Sequence, residues 1–167
     1  VSSQVSQVLN EVVAGIKLLL PELPTCKRHS GRFGLSEVRT LANQAPAVLV
    51  SCLRIQPQTG TASSWSANCA LFILTRDAKE LPRDRSALFL AENLALYLRH
   101  RRFAQCEAIV NVDAQNLYAT ELEGIGVSLW GVTFVQPLQR TNDLKARQPW
   151  GDNEIPTPLP RVEYLGL

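Results

Sequence analysis

The segment Cys69-Ala-Leu-Phe-Ile-Leu74 is apolar without interruption, and it limits the fold of this chain more than any other stretch. It lies in a run from about Ser66 to Arg76 that reads as a β-strand through Ala67, Cys69, Leu71 and Ile73. Phe72 and Leu74 alternate with Leu71 and Ile73, so both faces of the strand are apolar near its end. Such a strand needs cover on both sides, expected from the chain's own helices on one and from another subunit on the other. The run Ala-Val-Leu-Val-Ser-Cys-Leu-Arg-Ile-Gln, from Ala47 to Gln56, reads as a second strand. Between the two, Pro57 to Trp65 is a small-polar loop with no hydrophobic anchor before the tryptophan, which predicts a long hairpin with a mobile tip.

Helices frame this hairpin. Val5, Val8, Leu9, Val12, Val13, Ile16, Leu19 and Leu20 recur at steps of three and four, an amphipathic helix begun by Ser2 and Ser3 and stopped before Pro21. Cys26 to Phe33 is polar and extended, or an edge strand, and Ser36 is placed to cap a short helix through about Gln44. Asp84 is expected to cap a long helix from Arg85 to about Arg102, apolar around most of its circumference and therefore central. Strands at Glu107–Asp113 and Ile125–Gln136 follow. The reading is an α+β domain over residues 1–138, a mainly antiparallel sheet of about four strands packed by an N-terminal and a long central helix. Beyond Pro137 apolar periodicity stops and prolines crowd the end, so 139–167 reads as an extended, proline-rich arm with Trp150, Ile155, Leu159 and Tyr164 as anchors.

Composition narrows the chemistry. A hydrophobic fraction of 46% rules out wholesale disorder, and a net charge of +2 on 167 residues gives no field for dedicated nucleic-acid or membrane-surface binding. Residues 1–20 lack the basic start of a signal peptide, and the apolar stretch Ala87–Leu98 is too short to span a bilayer, so a soluble protein made in the cytoplasm is expected. The cysteines at 26, 52, 69 and 106 form no C-x-x-C pair and have only His29 and His100 for company, which speaks against a metal site. They read as reduced, buried thiols; Cys52 and Cys69 can pair only if their strands are neighbours with suitable facing. Ser30 beside His29 does not converge as a nucleophile and base, and Gly31 and Gly34 lack the context of a phosphate cradle. No catalytic constellation and no cofactor site emerge.

Charge distribution carries more. Arg99, Arg101 and Arg102 cluster at the end of the long helix, whereas residues 103–139 hold Glu107, Asp113, Glu121 and Glu123 with no lysine or arginine. Arg99, Arg101, Arg102, Glu107, Glu121 and Glu123 are thus candidates for a subunit contact in which one copy's basic end meets the next copy's acids. Head-to-tail contacts of this kind close into rings when the rotation allows.

The order of strings is also informative: an N-terminal helix, His-Ser-Gly-Arg-Phe at 29–33, a short helix, Ala-Pro-Ala-Val-Leu-Val at 45–50, a hairpin, a Leu/Ala-rich helix, and Leu-Trp-Gly-Val-Thr-Phe at 129–134. Over about residues 1–138 this resembles the tail terminator, or tail-completion, proteins of Mu-like tailed phages and prophages. The resemblance implies a non-enzymatic virion protein at the head–tail junction, assembled in the host bacterial cytoplasm. It implies a homo-oligomer, a hexameric ring, that sits on the last ring of tail-tube protein, ends polymerisation and receives the head-completion complex. DNA would pass the channel without being read, and no membrane would be involved. The loop residues Gln58, Thr59, Gly60 and Thr61 become candidates to reach an adjacent ring or subunit. The alternatives are a tail-tube or other neck protein, a small cytoplasmic enzyme with a polar pocket, and a DNA-binding module, the last disfavoured by the charge of +2.

Overall fold

A computed structural model describes residues 3–31, 34–58 and 64–138. Elements run α1 (Gln4–Leu19), β1 (Thr25–Arg28), α2 (Leu35–Leu41), a 3-10 turn (Ala42–Gln44), β2 (Ala47–Pro57), β3 (Trp65–Arg76), α3 (Arg83–Leu98), β4 (Val110–Asn116), α4 (Thr120–Ile125) and β5 (Val127–Leu138). The architecture is α+β. The sheet has five strands in the order β1-β2-β3-β5-β4, and it is mixed because β1 joins β2 in parallel while the other pairs are antiparallel. The expected count of about four grows by the polar edge strand at Thr25–Arg28. The segment 139–167, with Trp150, Ile155, Leu159 and Tyr164, lies outside the described residues, as do Thr59, Gly60 and Thr61 of the hairpin.

Local chemistry explains most boundaries. Ser3 caps α1, its hydroxyl accepting from the Ser6 N–H at 3.1 Å, and Val8, Leu9, Val12 and Ile16 form the buried stripe. α2 starts two residues earlier than a Ser36 cap would have it. Gly34 is its N-cap, and the Glu37 carboxylate reaches back to accept from the Gly34 N–H at 2.7 Å. α3 follows Pro82 rather than an Asp84 cap, because Asp77, six residues upstream, accepts from the Arg83 N–H at 2.9 Å. Asp84 instead lies in the first turn, where a carboxylate suits the helix dipole. The helix stops at Leu98, four residues short of the expected end, because Arg99 turns extended and His100 adopts φ 63°.

The core occupies both faces of the sheet. On one, α1 and α3 cover Val48, Val50, Leu71, Ile73, Val132 and Phe134. On the other, α2, the 3-10 turn and α4 cover Ala47, Leu49, Leu74, Val127 and Leu129 through Val38, Leu41 and Leu122. Each fully buried aliphatic or aromatic side chain in these layers contributes about 1.5–3 kcal/mol. The doubly apolar end of β3 is therefore covered by the chain itself on both sides, and the partner subunit expected over its second face is not required there. α3 is likewise not buried all round. Ala87, Leu90, Ala91, Leu94 and Leu98 face the sheet, while Leu88, Phe89 and Leu96 point outward.

Candidate subunit interface

The strand ladder gives the molecule two unlike ends. Trp65 pairs with both Pro57 and Leu138, so the hairpin segment 58–64 and the end of β5 share one end of the sheet. At the other, Arg76 pairs with Val127, just after α4. α3 runs back along the sheet between them, and its 16 residues span about 24 Å.

The arginines lie just past the C-terminus of α3. Arg99 is the helix C-cap; Arg101 and Arg102 belong to the tight loop that follows, not to the helix. That loop is held at several points. The Ile109 N–H donates to the Arg101 carbonyl at 2.8 Å, and Arg102 bridges to Ala108. The Ala104 N–H donates to Glu11 of α1 at 2.7 Å. Gln136 of β5, fully buried, donates through Nε2 to the Glu107 carbonyl at 2.9 Å and to the Pro137 carbonyl at 2.8 Å. Its Oε1 is buried without a hydrogen-bond partner among the described residues. The Arg101 guanidinium lies over the Tyr97 ring, 4.4 Å from its centroid. The Tyr97 hydroxyl in turn occupies the place of a Cβ at Gly15 of α1, so a larger residue there would have to displace the end of that ring. All three arginines are exposed, and none is in an ion pair among the described residues.

The acids separate into two places. Glu107 lies in the same loop as the arginines, one residue before Ala108, and its side chain is exposed. Glu121 and Glu123 lie together on α4, at the far end of α3. Glu123 takes a hydrogen bond from the Tyr118 hydroxyl, which pushes the phenol up. Glu121 borders a cleft shared with Arg39 and Arg76. Of the three candidate acids, Glu121 and Glu123 therefore lie opposite the arginines, in the company of Arg39 and Arg76, and Glu107 lies at the arginine end. Gln58 closes the hairpin base, its N–H donating to the Ser64 carbonyl at 2.7 Å.

Two features of this surface are not legible in the sequence. The outer face of α3 exposes Leu88 to 52%, Phe89 to 59% and Leu96 to 60%, with Glu92 and Asn93 between the first two and the third. On the second sheet face, toward the hairpin end, Leu53, Arg54, Asn68, Asn111, Thr133 and Val135 line an open cleft of about 700 Å3, and no described helix contributes to its walls. The only hint of either is the number of apolar residues, in excess of what one helix face can bury.

Near α2, His29 Nε2 lies 3.2 Å from Glu37, whose carboxyl is held below its ordinary value chiefly by the Gly34 N–H and also by His29. No group of three or more His, Cys, Asp or Glu that could hold a metal occurs among the described residues. None of the described helices is long and apolar enough to cross a membrane.

No family model matches the chain. It is similar to the Mu-like prophage FluMu protein gp37 of Haemophilus influenzae, with 28% identity over 140 residues, covering 81% of this chain and 72% of that protein. Similarity over most of both chains points to the proteins of Mu-like phages.

Proposed function

We propose that the protein is a ring-forming tail terminator, a structural component of the virion that caps the tail tube, ends its polymerisation and joins it to the head-completion complex. The observation that carries this reading is the separation of exposed arginines and paired glutamates to opposite ends of α3, with the exposed Leu88, Phe89 and Leu96 between them. Contacts between the arginines of one copy and Glu121 and Glu123 of the next would be heterologous, and contacts of that kind build rings or filaments rather than isolated dimers. Similarity to a Mu-like prophage protein supports the phage setting, and the resemblance in element order supports a terminator. The partners would be further copies of the chain, expected as a hexamer, the tail-tube protein below and the head-completion protein above. DNA would pass through the ring without sequence-specific contact.

Charge reversal tests this. The pair Arg101→Glu and Arg102→Glu should lower the mass measured by light scattering and abolish rings in electron micrographs. Glu121→Lys with Glu123→Lys should do the same. Combining all four in one chain should restore rings, because the poles again attract with their signs exchanged. Assemblies unaffected by either pair, or lost and not restored by the combination, would overturn the arrangement.

A further inference from the structure

We propose that Cys52 and Cys69 are a built thiol pair that closes to an intramolecular disulfide across β2 and β3 when the protein meets a low-molecular-weight disulfide. The condition that the sequence leaves open, neighbouring strands with matched facing, is met. β2 and β3 are antiparallel, and Cys52 stands directly opposite Cys69 in their register. Directly opposed residues of an antiparallel pair have Cα atoms about 4.5 or about 5.5 Å apart, and both values fall within the range that a disulfide spans. The register slips between Cys52 and Arg54, so the ladder is already irregular beside the pair and can adjust its twist as the bond forms.

The two thiols are unequal in a way that orders the reaction. Cys69 is 1% exposed, whereas Cys52 is only partly buried and is the one a reagent can reach. In the structure the Cys69 thiol donates to the Ala67 carbonyl at 4.0 Å and the Cys52 thiol to the Arg54 carbonyl at 3.8 Å. The adjacent Cys69 thiol can turn to hydrogen-bond a Cys52 thiolate, which lowers the Cys52 pKa to about 7 against the opposing effect of burial, with the Arg54 backbone adding to the lowering. The same hydrogen bond and burial push Cys69 up. Cys26, by contrast, is buried against the Val13 carbonyl, and its thiol is pushed up to about 11. Thiolate character and access therefore coincide at Cys52.

With oxidised glutathione the steps balance. The Cys52 thiolate attacks one glutathione sulfur, the glutathione disulfide breaks, and one glutathione thiolate leaves. Cys69 then gives up its proton and attacks the Cys52 sulfur, expelling the second glutathione. Two protein thiols are oxidised, one disulfide is reduced to two thiols, and the two protons lost by Cys52 and Cys69 are taken up by the two departing glutathione thiolates.

The test uses the full chain treated with oxidised glutathione, quenched in acid, alkylated under denaturing conditions and analysed by mass spectrometry. The expected product is lighter than the reduced protein by two hydrogens and carries no glutathione. Two of its four cysteines are protected from alkylation, and a peptide containing Cys52 is linked to one containing Cys69. Cys69→Ala should instead trap glutathione on Cys52, and Cys26→Ser should leave the crosslink intact. Four reactive thiols after treatment, a stable glutathione adduct on the unaltered protein, or a link to any other cysteine would overturn the proposal. If a variant fails to fold, the crosslink map of the unaltered protein still decides between these outcomes.

Discussion

Gln136 is fully buried and spends its amide on two carbonyls, and replacing that amide by a carboxyl of nearly the same volume turns an anchor into a pH-dependent fault. In Gln136→Glu no cavity is made, so the loss reports electrostatics alone. A protonated carboxyl can still donate once, to the Glu107 or the Pro137 carbonyl, and loses one hydrogen bond, about 1 kcal/mol. An ionised carboxylate donates to neither, faces both oxygens and sits without a compensating partner, a loss of about 3–5 kcal/mol. The sign follows from burial, which raises the folded-state pKa of the new group above the unfolded value of about 4.3. Destabilisation is then small below about pH 4, grows as pH rises through the interval between the two values, and is complete above the folded one. With a urea slope of about 2 kcal/mol per molar, the midpoint should fall by about 0.5 M at pH 4 and about 2 M at pH 8 relative to the unaltered protein. Gln136→Leu, which cannot ionise, should show a deficit that does not change over that range. Equal midpoint losses for Gln136→Glu at both pH values would refute the account of this side chain as a buried donor to two carbonyls.

Two further substitutions test local claims. Gly126 ends α4 in the left-handed region, φ 76°, with its N–H shared between the Leu122 and Glu123 carbonyls at 3.0 Å each, so Gly126→Ala should cost about 1 kcal/mol and lower the melting temperature by about 4 °C; an unchanged melting temperature would contradict the strain. The Glu37 carboxyl is held low chiefly by the Gly34 N–H, so its contribution is fully present above the ordinary carboxylate range and is lost as pH falls through its lowered value. Glu37→Gln should therefore flatten the acid limb of a stability–pH curve slightly, the group being exposed, and an unaltered limb would count against the contact.

Where residues interact with near neighbours in the chain, the sequence is readable. The stripe of α1 and its Ser3 cap, the β2–β3 hairpin and the apolar character of both faces of β3, Leu71 and Ile73 on one and Phe72 and Leu74 on the other, all follow from spacing and from which residue types resist water. Sequence reasoning fails where the deciding partner is remote or the backbone leaves its regular path. Asp77 sets the start of α3 from six residues away. His100, Ala104 and Gln105 take positive φ, which ends α3 early and delays β4 to Val110, and Asn111, also at positive φ, falls at the register shift within β4. α4, six residues long, is too short to show a period and reads as a connector. The long helix looks central because nothing in its composition says whether an apolar side chain meets the sheet or the solvent. The candidate interface is half legible: the arginines and glutamates are visible as charge blocks. Their division between two ends, with Glu107 on the basic side, depends on how α3 and the sheet run.

The pairing of Trp65 with both Pro57 and Leu138 has a consequence for assembly. Pro57, Trp65 and Leu138, where β2, β3 and β5 meet, lie on the side of the sheet that also bears Arg99, Arg101 and Arg102. If copies join as proposed, with that side against the α4 of the next, each joint would draw on the hairpin base and the end of β5 of the same copy. A further partner would then have to recognise what such a joint leaves uncovered, the outer surface of α3 or the open cleft on the opposite sheet face.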